Sequence, residues 1–222
     1  MNTLTTPPLS EVLKRLFAES DVSEGLMRQE MSHLTPQERA DAHRQSSTDY
    51  QTFYMTRAKS LYLAVSRETA TLLYMLARSV KASAVVEFGT SFGISTLHLA
   101  AALKDNGGGR VIGTEFEPSK VVRARENIEA AGLGDFVEVR EGDALETLAR
   151  DLPETIDLVL LDGAKSLYQQ VLALLEPRLR PGALVVADNA QMVPDYIEAM
   201  RRPGRGYLSM PLVDDVELTL KL

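Results

Sequence analysis

The chain has 222 residues, of which 45% are hydrophobic and 25% charged, and a formal net charge of −7. This is the composition of a soluble globular protein with one sizeable core, or a core with an added arm. The acidic balance argues against a nucleic-acid partner, which calls for a basic face. The absence of cysteine excludes disulfides, thiolate metal sites and a cysteine nucleophile. No apolar run is long enough to span a bilayer, and the start MNTLTTPPLSEVLKRLF lacks the pattern of a signal peptide. The expected location is cytoplasmic, a reducing compartment that a cysteine-free chain suits.

The first part of the chain is rich in charge, Gln, Ser and Thr and carries no strand signal. Two short helices are predicted in it, Leu9 to Glu19 and Pro36 to Gln45. His33 and His43 have no partner at ligand spacing and read as surface histidines. Residues 1–58 are set apart as an N-terminal helical arm, and 59–222 as the main domain. A further helix is predicted from Arg67 to Ser79. Ser66 would be its N-cap, and Leu72, Leu73, Met75 and Leu76 would give a packed face.

From Ala84 the pattern changes to short β-rich runs alternating with helical stretches. AVVEF reads as a strand and STLHLAAALK as a helix, with NGGGR a plain loop. RVIGTE is a strand, and PSKVVRARENIEAAG a helix with Pro118 at its start and Gly132 past its end. FVEVR, IDLVLLD and ALVVAD are strands, followed by helices over Ala144–Arg150, Ser166–Glu176 and Pro194–Arg201. The alternation predicts an α/β fold: a Rossmann-like, doubly wound, mostly parallel seven-stranded sheet covered by helices. The tail GYLSMPLVDDVELTLKL breaks the rhythm. Val216, Leu218, Leu220 and Leu222 alternate with polar residues, as in an antiparallel pair at a sheet edge, with the last strand antiparallel.

In such a sheet, ligands bind at the carboxyl ends of the strands. The first strand ends in VEFGTSFGIS, where Glu87, Gly89 and Gly93 give E-x-G-x-x-x-G. That spacing differs from the dinucleotide fingerprint G-x-G-x-x-G. It still allows a sharp turn, close backbone approach and a helix start near Ser95 offering free N–H groups. Glu115 ends the second strand, where a carboxylate can accept from ribose hydroxyls or simply be solvated. Asp143, after the third, could accept from an adenine amino group or cap the next helix. Together the loop, Glu115 and Asp143 outline a nucleoside site with an anion pocket. Asp162 and the pair Asp188–Asn189 close the fourth and fifth strands. Asp and Asn are common turn residues. Three oxygen ligands at one edge equally suit Mg²⁺ or a similar hard ion, which would relieve the repulsion of two carboxylates. Lys165 lies three residues past Asp162. Beside a metal its ammonium form is disfavoured, which suits a working base.

From about Lys59 onward the chain resembles the S-adenosylmethionine-dependent O-methyltransferases of the catechol O-methyltransferase type, with their caffeoyl-CoA relatives. The shared marks are VVEFGTSFGIS, VIGTEFEP, GDALE, LVLLDGAKSLY, LRPGALVVADN and the closing strand pair. The resemblance implies the class I methyltransferase fold, S-adenosylmethionine as cofactor and a divalent cation such as Mg²⁺. It implies that Glu87, Gly89, Thr90, Ser91, Gly93 and Ser95 hold the methionine part of the cofactor, Glu115 the ribose, and Asp143 with Ala144 the adenine. Asp162, Asp188 and Asn189 would bind the metal, Asp162 also bordering the cofactor, and Lys165 would be the base. The expected acceptor is a small hydroxylated, catechol-like or phenolic molecule, and the expected assembly a homodimer, with no nucleic-acid or membrane partner. Where that family usually carries an aromatic, acidic or histidine side chain between the aspartate and the lysine, this chain has Gly163 and Ala164. The rival readings are a metal-independent methyltransferase of the same fold, one acting on a sugar or natural-product hydroxyl, and a non-catalytic cofactor-binding module.

Overall fold

The computed structural model describes residues 2–212 and 215–222, with side chains left aside at 40, 42, 43, 45, 46 and 47. His43 therefore lies outside the described side chains, whereas His33 is exposed. Seven strands form one sheet: β1 (Ala84–Phe88), β2 (Arg110–Glu115), β3 (Val137–Glu141), β4 (Ile156–Leu161), β5 (Leu179–Ala187), β6 (Tyr207–Pro211) and β7 (Glu217–Lys221). Their order across the sheet is β3-β2-β1-β4-β5-β7-β6. The first five are parallel, and β7 runs antiparallel to both β5 and β6.

Successive residues of the central strands feed opposite faces, as the pleat requires. Val85, Val111, Leu158 and Leu184 point into one hydrophobic cluster, and Val86, Ile112, Val159 and Val185 into the other. The first cluster is covered by α1 (Leu9–His33), α4 (Arg67–Ser79), α5 (Ile94–Asn106) and α6 (Pro118–Ala130). The second is covered by α7 (Ala144–Thr147), α8 (Tyr168–Leu175) and α9 (Pro194–Arg201). Ser66 caps α4 by accepting from the Thr69 N–H, as expected. No described helix is long and apolar enough to cross a membrane.

The N-terminal region differs most from expectation. α1 runs to His33 instead of stopping near Glu19, because no proline interrupts the stretch and an i,i+4 pair such as Arg28–Glu24 supports its exposed half. After α2 (Pro36–Thr48) comes an unpredicted helix, α3 (Tyr50–Thr56), whose cap Asp49 accepts from the Thr52 N–H. The first half of α1 belongs to the core: Leu9, Val12, Leu13 and Leu16 are buried in the first cluster. Phe17 meets the ring of His98 edge-on, with centroids 6.0 Å apart. His98 is 4% exposed, and its Nδ1 lies 2.8 Å from the Ile94 carbonyl oxygen. Burial pushes its pKa down to about 4.

The closing strands form the antiparallel pair at the sheet edge that the tail predicts. β6 forms the edge, and β7 lies between β5 and β6. Both edges of β7 are therefore paired, and its polar residues Glu217 and Thr219 are buried. Arg201 donates to Glu217 at 2.7 and 2.6 Å and the Ser209 hydroxyl at 2.6 Å, which satisfies the buried carboxylate.

Candidate functional site

The strand order reverses at β1, between β2 and β4, so the loops leaving those strands open a crevice at their carboxyl ends. The loop after β1 is pinned from below. Glu87 is 0% exposed and accepts from Ser95 Oγ (2.6 Å), Thr90 Oγ1 (3.0 Å) and the Thr96 hydroxyl. Burial raises its pKa to about 7, against the pull of the three hydroxyls. Gly89 has φ +102°, and a Cβ there would sit 2.6 Å from the Asp162 carbonyl oxygen, so only glycine fits where the loop crosses the end of β4. Ser91, at φ +48°, donates its N–H to Glu115 Oε2 at 2.8 Å, while its own Oγ is buried without a partner among the described residues.

Glu115 is held at both oxygens, since Oε1 accepts the Glu117 N–H at 2.9 Å. Asp143 caps α7 by accepting from the Leu145 N–H (2.9 Å). Its other oxygen takes the Tyr50 hydroxyl (2.5 Å) and Gln51 Nε2 (3.3 Å) from α3.

The acidic end of the site forms where β4 and β5 run side by side with Leu161 beside Ala187. The next residues, Asp162 and Asp188, thereby become neighbours. Burial raises the pKa of both carboxyls, and the Asp162 charge adds to the rise at Asp188, which reaches about 7. Lys165 donates to Asp162 Oδ1 (3.1 Å), the Tyr168 hydroxyl (2.7 Å) and the Asp188 carbonyl oxygen (3.4 Å), and Tyr168 donates to that same carbonyl at 2.8 Å. Asn189 occupies a left-handed turn, at φ +50°, and its Nδ2 donates to Asp215 at 3.0 Å. Its Oδ1 has no hydrogen bond among the described residues. The turn reading and the ligand reading of Asp188–Asn189 are thus compatible in one geometry. No group of three His, Cys, Asp or Glu side chains close enough to hold a metal occurs among the described residues. Two carboxylates plus an amide oxygen are nonetheless a donor set that suits a hard cation.

A cavity of about 400 Å³ joins these parts, within the usual range for small-molecule sites. Gly89, Ser91, Glu115, Asp162, Lys165, Asp188 and Asn189 all line it. A narrower cavity of about 40 Å³ beside it is lined by Phe116, Gly142 and Ala144, with Tyr50 and Tyr54 of α3 above. Glu87 and Gly93 line neither; they shape the loop. Thr90 and Ser95 border a small recess under the loop with Ser91 and Tyr62. Asp143 stands behind Ala144, its oxygens engaged.

Several wall residues had no sequence signal. Ser20, Glu24 and Met27 of α1, Phe53 and Tyr54 of α3, and Lys120 of α6 line the larger cavity. The i, i+3, i+4 spacing of Tyr50, Phe53 and Tyr54 was the available clue. Asp215 and Tyr168 join the acidic end through Asn189 and Lys165. Gly163 has its explanation in β1: a Cβ there would lie 2.4 Å from the Phe88 ring, which fills the space a larger side chain would need.

Known proteins resemble this chain in sequence and fold. The family profile described as a methyltransferase domain matches residues 86–190. The catechol O-methyltransferase of Niastella koreensis is 35% identical over 130 residues, covering 57% of this chain and 58% of that protein. The chain is thus matched to little more than half the length of this curated relative. Among solved structures, the O-methyltransferase from Bacillus cereus in complex with SAH superposes with a TM-score of 0.66 at 25% identity, over 79% of this chain and 91% of the other. The O-methyltransferase TomG from Streptomyces achromogenes, in complex with SAM, gives 0.60 at 27% identity, over 85% and 99%. Residues 86–190 thus match a methyltransferase domain, the fold is that of the class I methyltransferases, and the chain is similar to the catechol O-methyltransferases.

Proposed function

We propose that the protein is a divalent-metal-dependent O-methyltransferase that moves the methyl group of S-adenosylmethionine to a hydroxyl of a small catechol-like or phenolic acceptor. The observation that carries this reading is the convergence of Asp162, Lys165, Asp188 and Asn189 on the cavity that Gly89, Ser91 and Glu115 also line. Glu115, fixed by two backbone N–H groups, presents a carboxylate to a ribose. Ala144 and Phe116 offer an apolar slot for an adenine. Asp162, Asp188 and Asn189 would hold Mg²⁺ or a similar ion, which supplies Lewis-acid chemistry that favours the ionised form of a bound hydroxyl. Lys165, as its neutral amine, would accept the hydroxyl proton and become ammonium as the C–O bond forms and the S–CH₃ bond breaks, leaving S-adenosylhomocysteine. The buried carboxyls and the arm residues position the acceptor and exclude water, so much of the rate comes from orientation and electrostatics. Apart from the half of α1 packed in the core, residues 1–58 act as a helical arm over the acceptor mouth, and the working form is a homodimer.

Transfer of labelled methyl from S-adenosylmethionine to a panel of catechols, hydroxycinnamates and flavonoids, with and without chelator, tests the reading. Asp188→Ala should abolish metal-dependent turnover and leave cofactor affinity intact. Lys165→Ala should keep cofactor and metal but lose turnover by roughly 10²–10⁴-fold. Full activity in excess chelator, with Lys165→Ala still active, would sink it. The second reading, a metal-independent methyltransferase, is favoured by one observation: the Lys165 ammonium, 3.1 Å from Asp162, itself supplies a counter-charge. Activity that survives chelator but not Lys165→Ala would select it.

A further inference from the structure

Lys120 lies in the first turn of α6 and is only 2% exposed. A lysine so largely withdrawn from water is costly to keep charged unless its ammonium is paired or hydrogen-bonded. Yet among the described residues Lys120 Nζ makes no hydrogen bond and has no carboxylate within 4 Å. Its nearest feature is the Phe92 ring, 5.4 Å to the centroid. Burial pulls its pKa down, and the more distant charges of Glu115 and Glu117 hold it up. Both of those carboxylates are already engaged. Glu115 accepts from two backbone N–H groups. Glu117 accepts from the Lys120 N–H at 2.8 Å and from the Ser119 hydroxyl, and pairs with Lys59 at 3.6 Å. The other cavity lysine, Lys165, has three acceptors.

The residue next to Phe92 is Ser91, whose buried Oγ is also unpartnered and whose backbone is held in the left-handed region. Lys120 and Ser91 line the same cavity. A cation open to the cavity and a buried hydroxyl, both without a partner among the described residues, call for an anion with two acceptor oxygens. The nearby Glu115 and Glu117 charges favour a monoanion over a phosphate dianion.

We propose that Lys120, with the Ser91 hydroxyl, is a carboxylate-binding subsite of the cavity, a role separate from the ribose, metal and base positions. This rests on the proposed cofactor site. Two sources of carboxylate fit: the amino-acid end of the cofactor, or an acidic group on the acceptor.

Calorimetry on wild type, Lys120→Met, Lys120→Arg and Ser91→Ala distinguishes them, with S-adenosylhomocysteine and 5′-methylthioadenosine as probes. The second probe keeps the nucleoside thioether and lacks the amino-acid end. Methionine fills the space of lysine without a charge to bury, so Lys120→Met should fold. If the cofactor supplies the carboxylate, Lys120→Met weakens S-adenosylhomocysteine by about tenfold or more and leaves 5′-methylthioadenosine within about twofold, while Lys120→Arg restores much of the loss. If the acceptor supplies it, both nucleosides bind Lys120→Met as they bind wild type. KM for a carboxylated catechol then rises about tenfold relative to an uncharged one. Ser91→Ala should move the same ratio in the same direction. Wild-type binding of the two nucleosides reports on the cofactor site itself, and the ratios report on Lys120 alone. The proposal is overturned if Lys120→Met and Ser91→Ala leave both ratios at wild-type values, or weaken all ligands equally.

Discussion

His98 and Glu87 make opposite demands on the pH dependence of stability, and substituting each exposes the other. His98 titrates at about 4 in the fold against 6.5 when unperturbed. Its neutral form is the native one, so its contribution is complete above pH 6.5 and is lost as pH falls toward 4. Glu87 titrates at about 7 against 4.5. Its contribution is complete below pH 4.5 and is lost as pH rises through 7. Each shift amounts to about 3 kcal/mol at about 1.4 kcal/mol per pH unit. Between pH 4.5 and 6.5 the unfolded chain gains one proton at the histidine that the native state refuses, and lacks one at Glu87 that the native state keeps. The two slopes cancel in the wild type. His98→Gln should therefore gain about 1.4 kcal/mol per unit of acidification relative to wild type, and Glu87→Gln should lose the same amount. Over two units the variants diverge by about 5 kcal/mol. Urea unfolding at half-unit pH steps, read as differences between variants, removes the titrations they share, Asp188 included. It also removes any constant cost of substitution. Parallel stability curves for the two variants would refute the assignment of a neutral buried imidazole and a protonated buried carboxyl.

Glu115→Ala should weaken S-adenosylmethionine binding by roughly 1–3 kcal/mol in calorimetry, the usual loss for a charged hydrogen-bond partner; tight NAD binding without S-adenosylmethionine binding would contradict the cofactor reading. Gly89→Ala should lower stability by at least about 1–3 kcal/mol in thermal melts through backbone strain alone, with the contact to the Asp162 carbonyl adding to it, and an unchanged melt would count against the loop geometry. Sedimentation should give twice the chain mass of 24.4 kDa, and a monomer at working concentration would remove the dimer from the proposal.

The sheet was legible because its strands are short runs bracketed by turn residues. AVVEF and RVIGTE have the bounds of β1 and β2, and Pro194–Arg201 those of α9. The strand-end residues Glu115, Asp162, Asp188 and Asn189 were legible for the same reason: parallel topology alone puts them at one rim. The second half of α1 was not, since its apolar residues Val22, Leu26 and Met31 stay exposed and mark no buried face. The closing antiparallel pair was legible from the alternation of Val216, Leu218, Leu220 and Leu222; that β6 takes the rim, leaving Glu217 and Thr219 of β7 buried, was not. Asp215, Tyr168 and Lys120 matter through what they meet, from segments distant in sequence, and no local pattern encodes such meetings. Glu87 was found by motif, but its work beneath the loop follows from three hydroxyls that spacing alone could not orient.

The Phe88–Gly163 contact makes two positions, 75 residues apart, into one unit of inheritance. A side chain at 163 collides with the aromatic ring, and a small residue at 88 leaves a hole where the ring was. Either single step is harmful, while the two together exchange one wall of the site for another at nearly constant volume. This is sign epistasis built by packing. A lineage that brings its bulk from β1 crosses only with difficulty to one that brings it from the residue after the aspartate. Efforts to reshape this wall should therefore move both positions in a single library, because scanning them one at a time would score each as intolerant.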